Sequence, residues 1–486
     1  MEKIKFKALT YDDVLLLPRY SDFTPKEASL RTNLTREISL NLPIISAAMD
    51  TVTESRMAIA MAESGGIGVI HKNNTIEDQA THVRTVKKYE SGIVKDPITI
   101  ESTQSIEDLV KLTSELNISG MPVVDNGVLK GIVTSRDFRY ADNLNESVSS
   151  IMTPLERLIT VNEGTDQDEV KKLMYQNRIE KVLVLDKAGS LSGLVTMKDI
   201  DKSAEFPLAT KDTSGQLLVA AALGTGTDTL DRAEALNEMG VDVFVVDSAH
   251  GHSKNVIETI KLLKDNFKDV QVIAGNVATP EGAVALDEAG ADAIKIGMGP
   301  GSICTTRIIA GVGYPQLSAI YNVSNALKGT DISIIADGGV KHTGDITKAI
   351  AAGADCVMLG SLLAGTLESP GETIIYEGRK FKTYRGMGSV EAMEKGSKER
   401  YFQSTIKDKN KLVPEGIVGR VPYKGSVVES MFQFVGGLKS GMGYCGSKNI
   451  KELKDNSKFV QITSAGLDES HPHNITITKE SPNYTR

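Results

Sequence analysis

The chain has 486 residues, of which 40% are hydrophobic and 24% charged; this is the balance of a globular protein and excludes wholesale disorder. Its net charge of −8 argues against a nucleic-acid partner, and no apolar run approaches the ~20 residues of a membrane span, so we expect no membrane partner. The 3 cysteines lack any C-x-x-C spacing, which argues against a disulfide framework and favours a cytoplasmic location.

Eight short apolar runs, each ending in small or polar residues, predict strands that are covered on both faces. Helix-compatible segments lie between them. Eight such units in order favour an α/β fold with a closed (β/α)8 TIM barrel over an open doubly wound sheet, and they predict an active site at the carboxyl ends of the strands. The predicted strands are 43–50, 66–71, 217–224, 241–250, 270–276, 291–297, 332–339 and 355–361, and the clearest helices are 230–239, 256–266, 280–289 and 344–352.

An internal repeat interrupts this order between the second and third strands. The sequences MPVVD and GIVTSRD, at 121–125 and 131–137, recur as VLVLD and GLVTMKD, with the second motif 62 residues further on. A duplicated unit of this kind predicts an inserted module at about 91–203, and it resembles a tandem pair of CBS domains, known as a Bateman module. We therefore predict a barrel from 1–90 and 204–486, a first CBS domain at 91–150 and a second at 151–203.

The two copies of the repeat share a T-x-x-D motif at the end of the last strand. In the CBS family this motif commonly contacts the ribose and phosphate of an adenine or guanine nucleotide, which implies an ATP- or GTP-type ligand. The alternative is that these side chains only cap the helix that follows. Both interpretations stay open for Thr134 with Asp137 and for Thr196 with Asp199.

The segment KIGMGPGSICTTR, at 295–307, predicts a flexible polar loop after the sixth strand. Cys304 lies there among Gly, Ser and Thr residues, with Arg307 three residues on. A thiol in this setting can act as a nucleophile, although a free cysteine is more often a small buried hydrophobe. Cys356 fits that second role, because it lies within the eighth predicted strand. Cys304 is the candidate nucleophile.

Glycine pairs follow the seventh and eighth strands, in IADGGV at 335–340 and in MLGSLLAG at 358–365. Backbone amides at Gly338, Gly339, Gly360 and Ser361 would bind an anion, which TIM barrels often hold after these two strands. Asp337 would accept hydrogen bonds from a cis-diol. Together they predict recognition of a ribose 5′-phosphate. Either motif alone would be no more than the glycines that commonly occur where a strand leads into a helix.

These motifs, with YRGMGS at 384–389 and the duplicated insertion, resemble the inosine-5′-monophosphate (IMP) dehydrogenases of the bacterial type, within the IMP dehydrogenase / GMP reductase family. The resemblance covers essentially the whole chain. It implies NAD-dependent oxidation of IMP to xanthosine 5′-monophosphate, the committed step of guanine nucleotide synthesis, through a covalent adduct on Cys304 that is then hydrolysed.

The resemblance also implies the residues that bind each ligand. The phosphate would contact Ser302, Gly339, Gly360, Ser361 and Tyr384, and the ribose would contact Asp337 beside Gly338. The base would lie along Arg385, Gly386, Met387 and Gly388, near Met49 and Glu415. NAD would contact Asp247, Ser248, Gly297, Met298 and Gly299, and Tyr444 would reach the adenosine in a neighbouring subunit.

No histidine or lysine stands at an obvious position for the base that hydrolysis needs. The family supplies instead a mobile flap, here at about 386–423, that carries Arg400 and Tyr401. Arginine is a poor base in water, so it can serve only in a closed, desolvated site, with Tyr401 orienting it and Thr306 relaying a proton. In isolation the SKERY sequence would be an ordinary charged surface segment.

A potassium ion and a homotetramer complete what the resemblance implies, with an octamer through the repeat module also open. Carbonyls of Gly299, Gly301 and Cys304, with Glu469, Ser470 and His471 of an adjacent chain, would hold the ion. His250 and His252 are expected not to bind metal. The alternative functions are a GMP reductase, against which the repeat and the flap residues speak, and a non-catalytic nucleotide-sensing barrel.

Overall fold

The structure is a computed structural model that describes residues 3–4, 6–89, 94–95, 97–116, 118–139, 141, 143–479 and 481–484. By its internal contacts the chain forms two units. The first comprises residues 1–88, 208–210 and 217–486, and the second comprises residues 89–207 and 211–216.

The first unit is built on a closed barrel of eight parallel strands. Every strand hydrogen-bonds to its neighbours in chain order, and β8 closes the barrel by pairing with β1. Seven lie within the predicted runs and β5 extends one residue beyond its run, to Val277, so the TIM barrel predicted from the sequence is confirmed. The strands are β1 (Ile44–Ser46), β2 (Ile67–Ile70), β3 (Ala220–Leu223), β4 (Val243–Asp247), β5 (Gln271–Val277), β6 (Ala293–Ile296), β7 (Ser333–Asp337) and β8 (Cys356–Leu359).

Apolar side chains fill the barrel interior, where Ile45, Val243, Ile335 and Cys356 belong to one buried cluster. Cys356 is fully buried and burial raises the pKa of its thiol, as the small-hydrophobe interpretation requires. Helices cover the outside of the strands. They are Ser55–Glu63, Ile76–Lys87, Thr229–Glu238, Lys254–Asn266, Pro280–Glu288, Gln316–Ala326 and Thr343–Ala351, with shorter ones at Thr306–Ile309 and Ser361–Ala364.

Further elements of the first unit extend the barrel. Thr373–Tyr376, Arg379–Arg385 and Val418–Pro422 form an antiparallel sheet that leads into and out of the flap, and the flap itself contains short helical turns at Val390–Ala392, Met393–Ser397, Glu399–Tyr401 and Lys409–Lys411. Val14–Leu16 pairs with Phe459–Gln461, and Thr32–Asn33 pairs with Ser39–Leu40. The remaining helices are Tyr11–Asp13, Pro25–Glu27, Val427–Cys445, Ile450–Asn456 and Ser464–Ser470.

The second unit contains two small sheets, each with its own apolar cluster. One sheet orders Thr160–Asn162, Lys181–Leu185, Leu191–Thr196 and Val94–Lys95; the other orders Gly120–Asp125, Val128–Thr134 and Thr153–Pro154. The helices of this unit are Ile106–Leu116, Ser135–Phe138, Gln167–Asn177 and Met197–Glu205, and it has short helical turns at Val148–Ser150 and Leu155–Arg157.

The first T-x-x-D motif forms a helix cap. Oδ2 of Asp137 accepts hydrogen bonds from the backbone N–H and the hydroxyl of Thr134, at 2.7 and 2.8 Å. These contacts satisfy the capping interpretation of that pair. The second motif ends at Asp199, whose side chain lies outside the described residues.

Candidate active site

A cavity of about 330 Å³ opens at the carboxyl ends of the barrel strands, a size that suits a small ligand. Parallel strands of a barrel all end on one face, so residues far apart in sequence meet there. Of the residues predicted from the sequence, the cavity is lined by Met49, Asp247, Gly297, Gly299, Gly301, Ser302, Cys304, Asp337, Gly338, Gly339, Gly360, Ser361, Tyr384, Gly386, Met387, Gly388, Arg400, Tyr401 and Glu415.

Cys304 is half-buried in a tight turn at this cavity. Its backbone N–H donates to the carbonyl of Gly301 at 3.1 Å, and its thiol lies 3.1 Å from the hydroxyl of Thr306. Arg307 holds the same loop, because its guanidinium donates to the carbonyls of Met298 and Tyr314. The thiol is therefore fixed at the cavity wall with a hydroxyl beside it.

The cysteine loop is joined by backbone hydrogen bonds to residues 415–417 of the flap. The N–H of Thr305 donates to the carbonyl of Glu415 at 2.9 Å, and the N–H of Ile417 donates to the carbonyl of Ile303 at 3.1 Å. The N–H of Glu415 in turn donates to the carbonyl of Gly388 at 2.9 Å, which joins the two segments of the flap to each other. Residues 386–388 and 415–417 consequently form a backbone wall beside Cys304.

Lys295 lies at the centre of the cavity floor and is 2% exposed. Its ammonium group is 2.9 Å from Oδ1 of Asp247 and 2.8 Å from Oδ2 of Asp337, and it also donates to the amide oxygen of Asn276. A buried ammonium group is tolerated only with such partners. Lys295 is a cavity residue that was not predicted, and its pairing with two carboxylates does not make it the base that hydrolysis needs. Lys295 lies within a strand of apolar residues, so the sequence pattern indicates burial there and not a site residue.

Arg400 and Tyr401 lie inside the cavity, although their sequence context is that of a charged surface segment. The guanidinium of Arg400 forms an ion pair with Asp247, and the carbonyl of Arg400 accepts a hydrogen bond from the N–H of Ala249 at 3.1 Å. The ring of Tyr401 packs against Gly388, where a Cβ would lie 2.8 Å from the ring. Burial raises the pKa of the Tyr401 phenol, and the adjacent guanidinium opposes that rise. Part of the 386–423 segment therefore forms a wall of the cavity.

Consecutive glycines after β7 form the opposite wall. Gly338 and Gly339 have φ values of +93° and +81°, which residues with a Cβ rarely adopt. Across from them the phenol of Tyr384 interacts with the hydroxyl of Ser302, and burial raises the pKa of this phenol. Hydroxyls and backbone amides surround this part of the cavity, which suits a phosphate group.

Several predicted residues lie elsewhere. The guanidinium of Arg385 donates to both carboxylate oxygens of Asp50, at 3.2 and 2.7 Å, so it braces the sheet and does not line the cavity. Successive side chains of a β-strand point to opposite faces, so the side chain of Arg385 points away from the face that carries Tyr384. The remaining predicted residues outside the lining are Thr306, which touches Cys304; Ser248 and Met298; Tyr444, which is 71% exposed; and Glu469, Ser470 and His471 at the end of the helix Ser464–Ser470.

The cavity also contains residues that sequence reasoning missed. Tyr11 lines it with a side chain that is 2% exposed and a hydroxyl without a hydrogen-bond partner among the described residues. Asn276 donates to Asp337 at 2.9 Å, and Gln316 donates to the carbonyl of Ile296 at 2.8 Å. Asn276 ends the run VQVIAGN, so the polar residue at a strand end was the signal available for it. Tyr11 precedes the barrel and carries no comparable signal.

Comparison with known proteins extends these observations to nearly the whole chain. The family model described as "IMP dehydrogenase / GMP reductase domain" matches residues 8–473. The protein named inosine-5′-monophosphate dehydrogenase from Chlorobaculum parvum is 55% identical over 100% of this chain and 99% of its own. Its namesake from Bacillus subtilis is 53% identical over 99% of each chain. The resemblance inferred from the motifs is confirmed.

A solved structure is similar in fold. A cysteine-to-alanine variant of GMP reductase from Trypanosoma brucei, in complex with guanosine 5′-monophosphate, has a TM-score of 0.84 and 42% identity, covering 97% of this chain and 99% of its own. Since this likeness runs through the inserted unit, the insertion by itself does not distinguish a dehydrogenase from a reductase. Together with the barrel, its cysteine loop and its glycine pairs, these matches show that the chain belongs to the IMP dehydrogenase / GMP reductase family.

Proposed function

We propose that the chain oxidises IMP to xanthosine 5′-monophosphate with NAD as hydride acceptor, through a covalent adduct on Cys304, and so supplies the committed step of guanine nucleotide synthesis. The names of the relatives at 53–55% identity support IMP as the substrate. The single observation that carries the proposal is that Cys304, Asp337 and Arg400 line one cavity.

The substrate's phosphate is assigned to the glycine and hydroxyl wall. The amides at Gly339, Gly360 and Ser361 and the hydroxyls of Ser302 and Tyr384 offer uncharged donors around one point. Asp337 is assigned to the ribose hydroxyls, with one carboxylate oxygen already held by Lys295 and Asn276. A carboxylate held in this way is pre-oriented to accept hydrogen bonds from a diol. The purine then lies along the 386–388 wall, next to the Cys304 thiol.

The first chemical step forms a bond between Sγ of Cys304 and C2 of the purine. As the bond forms, the thiol proton passes to solvent by way of the adjacent Thr306 hydroxyl, and the electron pair of the C2=N double bond moves to nitrogen. C2 then gives up a hydride, and that electron pair restores the C2=N double bond. NAD, for which Asp247, Gly297 and Gly299 are the assigned residues, would supply the acceptor for this hydride. Thr306, whose hydroxyl is 3.1 Å from Sγ, is in position to exchange a proton with the thiol.

The second step replaces the sulfur by water oxygen at C2 and returns the thiol. Arg400 and Tyr401 are assigned to activate this water inside the closed flap. Burial of the Tyr401 side chain raises the pKa of its phenol, as expected for a pair that is held away from bulk water. In the closed arrangement Arg400 occupies the place beside Asp247, which is also the residue assigned to NAD. The flap must therefore open for the dinucleotide and close for water.

The residues present fit a dinucleotide at this place once Arg400 is withdrawn. Asp247 then has a carboxylate oxygen for a ribose or amide group, and Gly297 and Gly299, at φ values of +154° and +74°, allow close approach. For potassium, the turn of Gly299, Gly301 and Cys304 offers carbonyl oxygens, which hard cations prefer. One turn gives only part of a coordination shell, and Glu469, Ser470 and His471 of a neighbouring chain are proposed to complete it.

The assembly and the inserted unit are part of the same proposal. We assign the second unit to a pair of CBS domains that bind an ATP- or GTP-type nucleotide. The whole protein is proposed to be a cytoplasmic homotetramer, with octamers forming through that unit. Tyr444, exposed on the helix Val427–Cys445, is available to reach the adenosine in an adjacent subunit. Among the described helices, none combines the length and hydropathy that crossing a bilayer requires.

The decisive experiment offers the protein two substrate pairs, IMP with NAD and GMP with NADPH, while following the absorbance of the reduced cofactor. We expect absorbance to rise with the first pair and to stay constant with the second. Mass spectrometry of protein quenched during turnover should locate the purine on Cys304. The Cys304→Ala variant should lose turnover but keep IMP binding, whereas Cys445→Ala, which removes a thiol outside the cavity, should keep both. A purine on another residue would overturn the mechanism, and turnover of GMP would favour a reductase.

A further inference from the structure

Glu399, the residue before Arg400, is buried in a socket on the barrel. One carboxylate oxygen lies 2.6 Å from the ammonium group of Lys72, and the other accepts the backbone N–H of Thr225. The side chains of Glu399 and Lys72 are only 19% and 12% exposed. Such a pair is screened much less by solvent than the exposed ion pairs of a protein surface.

The socket has the shape of the carboxylate. It is formed by the residues that follow β2 and β3, and Gly224 lies against both partners. A Cβ on Gly224 would lie 2.5 Å from a carboxylate oxygen of Glu399 and would also collide with the ammonium group of Lys72. A Cβ on Gly226 would lie 3.1 Å from the same carboxylate. The barrel therefore offers a fitted acceptor for a flap side chain, and not a chance surface contact.

The socket fixes the backbone from which Arg400 extends. Arg400 is held on the next strand end by its carbonyl contact with the N–H of Ala249 and by its ion pair with Asp247. On the other side the amide of Asn73 donates to the carbonyl of Ala392 at 3.2 Å. Glu399 and Arg400 thus provide two charged contacts within a row of flap contacts at the ends of β2, β3 and β4.

We propose that Glu399 is a positioning residue and that its ion pair with Lys72 latches the flap in the closed state in which Arg400 reaches the reacting centre. The inference rests on the proposed function, because it assigns the latch to hydrolysis and not to hydride transfer. Hydride transfer needs the flap open, so it does not use this contact. Loss of the latch lowers the fraction of closed flap and with it the rate of the step that needs closure.

The proposed latch also predicts how kcat and the KM for NAD change together. If the closed flap and NAD compete for the space beside Asp247, a weaker latch leaves more of the enzyme open to NAD. The turnover number then falls while the KM for NAD falls with it. A residue that only supported the fold would lower activity without improving the apparent affinity for NAD.

The test is Glu399→Gln in the full-length protein, followed by rapid mixing with IMP and NAD. The neutral variant keeps the shape of the side chain and removes the charge. We expect the pre-steady-state burst of NADH to keep its rate, and steady-state turnover to fall about tenfold, since losing ~1.4 kcal/mol from one charged hydrogen bond has that effect. The matched control is Glu394→Gln, which removes an exposed carboxylate from the same flap.

A double variant distinguishes loss of the Glu399–Lys72 ion pair from an unspecific loss of activity. Lys72→Met alone should reproduce the loss, and Lys72→Met with Glu399→Gln should lose little more than either single change, because both remove one interaction. A slowed burst in Glu399→Gln, or losses that multiply in the double variant, would overturn the latch. Absence of any NADH burst in the unaltered protein would instead overturn the proposed function itself.

Discussion

The ammonium group of Lys295 lies 2.8 Å from Oδ2 of Asp337, so the carboxylate assigned to the substrate's ribose is held by a buried cation on the barrel floor. The same ammonium group is 2.9 Å from Asp247, which in turn pairs with Arg400 of the closed flap. One lysine therefore connects the substrate side of the cavity with its flap side. Its positive charge balances two carboxylates that would otherwise repel each other at close range.

Lys295→Met should destabilise the protein and weaken substrate binding together. Removing the cation leaves Asp247 and Asp337 buried without their shared partner, which costs about 3 kcal/mol in the free energy of unfolding. Urea unfolding should show a lower midpoint, and the KM for IMP should rise. Lys254→Met, which removes an 83% exposed ammonium group, is the control and should leave both unchanged. An unaltered midpoint for Lys295→Met would show that the buried network contributes nothing to stability.

Arg400→Ala should separate the two chemical steps. In the proposed mechanism hydride transfer takes place with the flap open and does not use the guanidinium, so a burst of NADH close to one equivalent per active site should remain. Hydrolysis should fall by about a hundredfold, as expected for removing a proton-transfer group, and the adduct on Cys304 should accumulate in quenched samples. Arg379→Ala, which removes an exposed guanidinium from the strand leading to the flap, serves as the control. A variant without a burst would contradict the assignment.

The barrel could be predicted because its signal is local. Runs such as those around Val243 and Ile335 are apolar on both faces, and each ends in a polar residue where the chain leaves the sheet. The glycine pairs and the cysteine loop follow strand ends, so the fold brings them together once the barrel is assumed. Cys304, Asp337 and Gly339 were predicted in this way, and all three line the cavity.

The positions of the other site residues depend on tertiary contacts that no local sequence pattern indicates. Lys295 lies within a buried strand, and only the closed barrel directs its side chain to the cavity floor between two carboxylates. Arg385 is adjacent to cavity residues in sequence but is paired with Asp50, over three hundred positions away. Arg400 has the sequence context of a surface residue, and its place in the cavity depends on tertiary contacts that include the ion pairs Glu399–Lys72 and Arg400–Asp247.

Replacing potassium by sodium should slow turnover. The carbonyls of Gly299, Gly301 and Cys304 form one turn, and a cation bound to them would fix the position of the thiol. Sodium is smaller and would draw these oxygens closer together, displacing Cys304 from its place beside Thr306. Steady-state rates should be measured at equal ionic strength in the two chloride salts, with tetramethylammonium chloride as the control without a binding cation. Identical rates in all three salts would remove the cation from the proposal.

Alkaline pH should destabilise the protein through its buried phenols. Tyr11, Tyr384 and Tyr401 all have pKa values raised above the ordinary 10.0, chiefly because burial disfavours the charged phenolate. Below pH 10 these phenols are neutral in both the folded and the unfolded chain, so their contribution to stability is complete there. As the pH rises past 10 the unfolded chain ionises first, and the free energy of unfolding falls.

Melting temperatures from pH 8 to 11 should decline steeply only above about 10, while absorbance at 295 nm shows three phenols ionising together with unfolding. In Tyr401→Phe one fewer phenol should ionise in this late step, and a melting temperature that stays constant up to pH 11 would contradict the burial of these side chains.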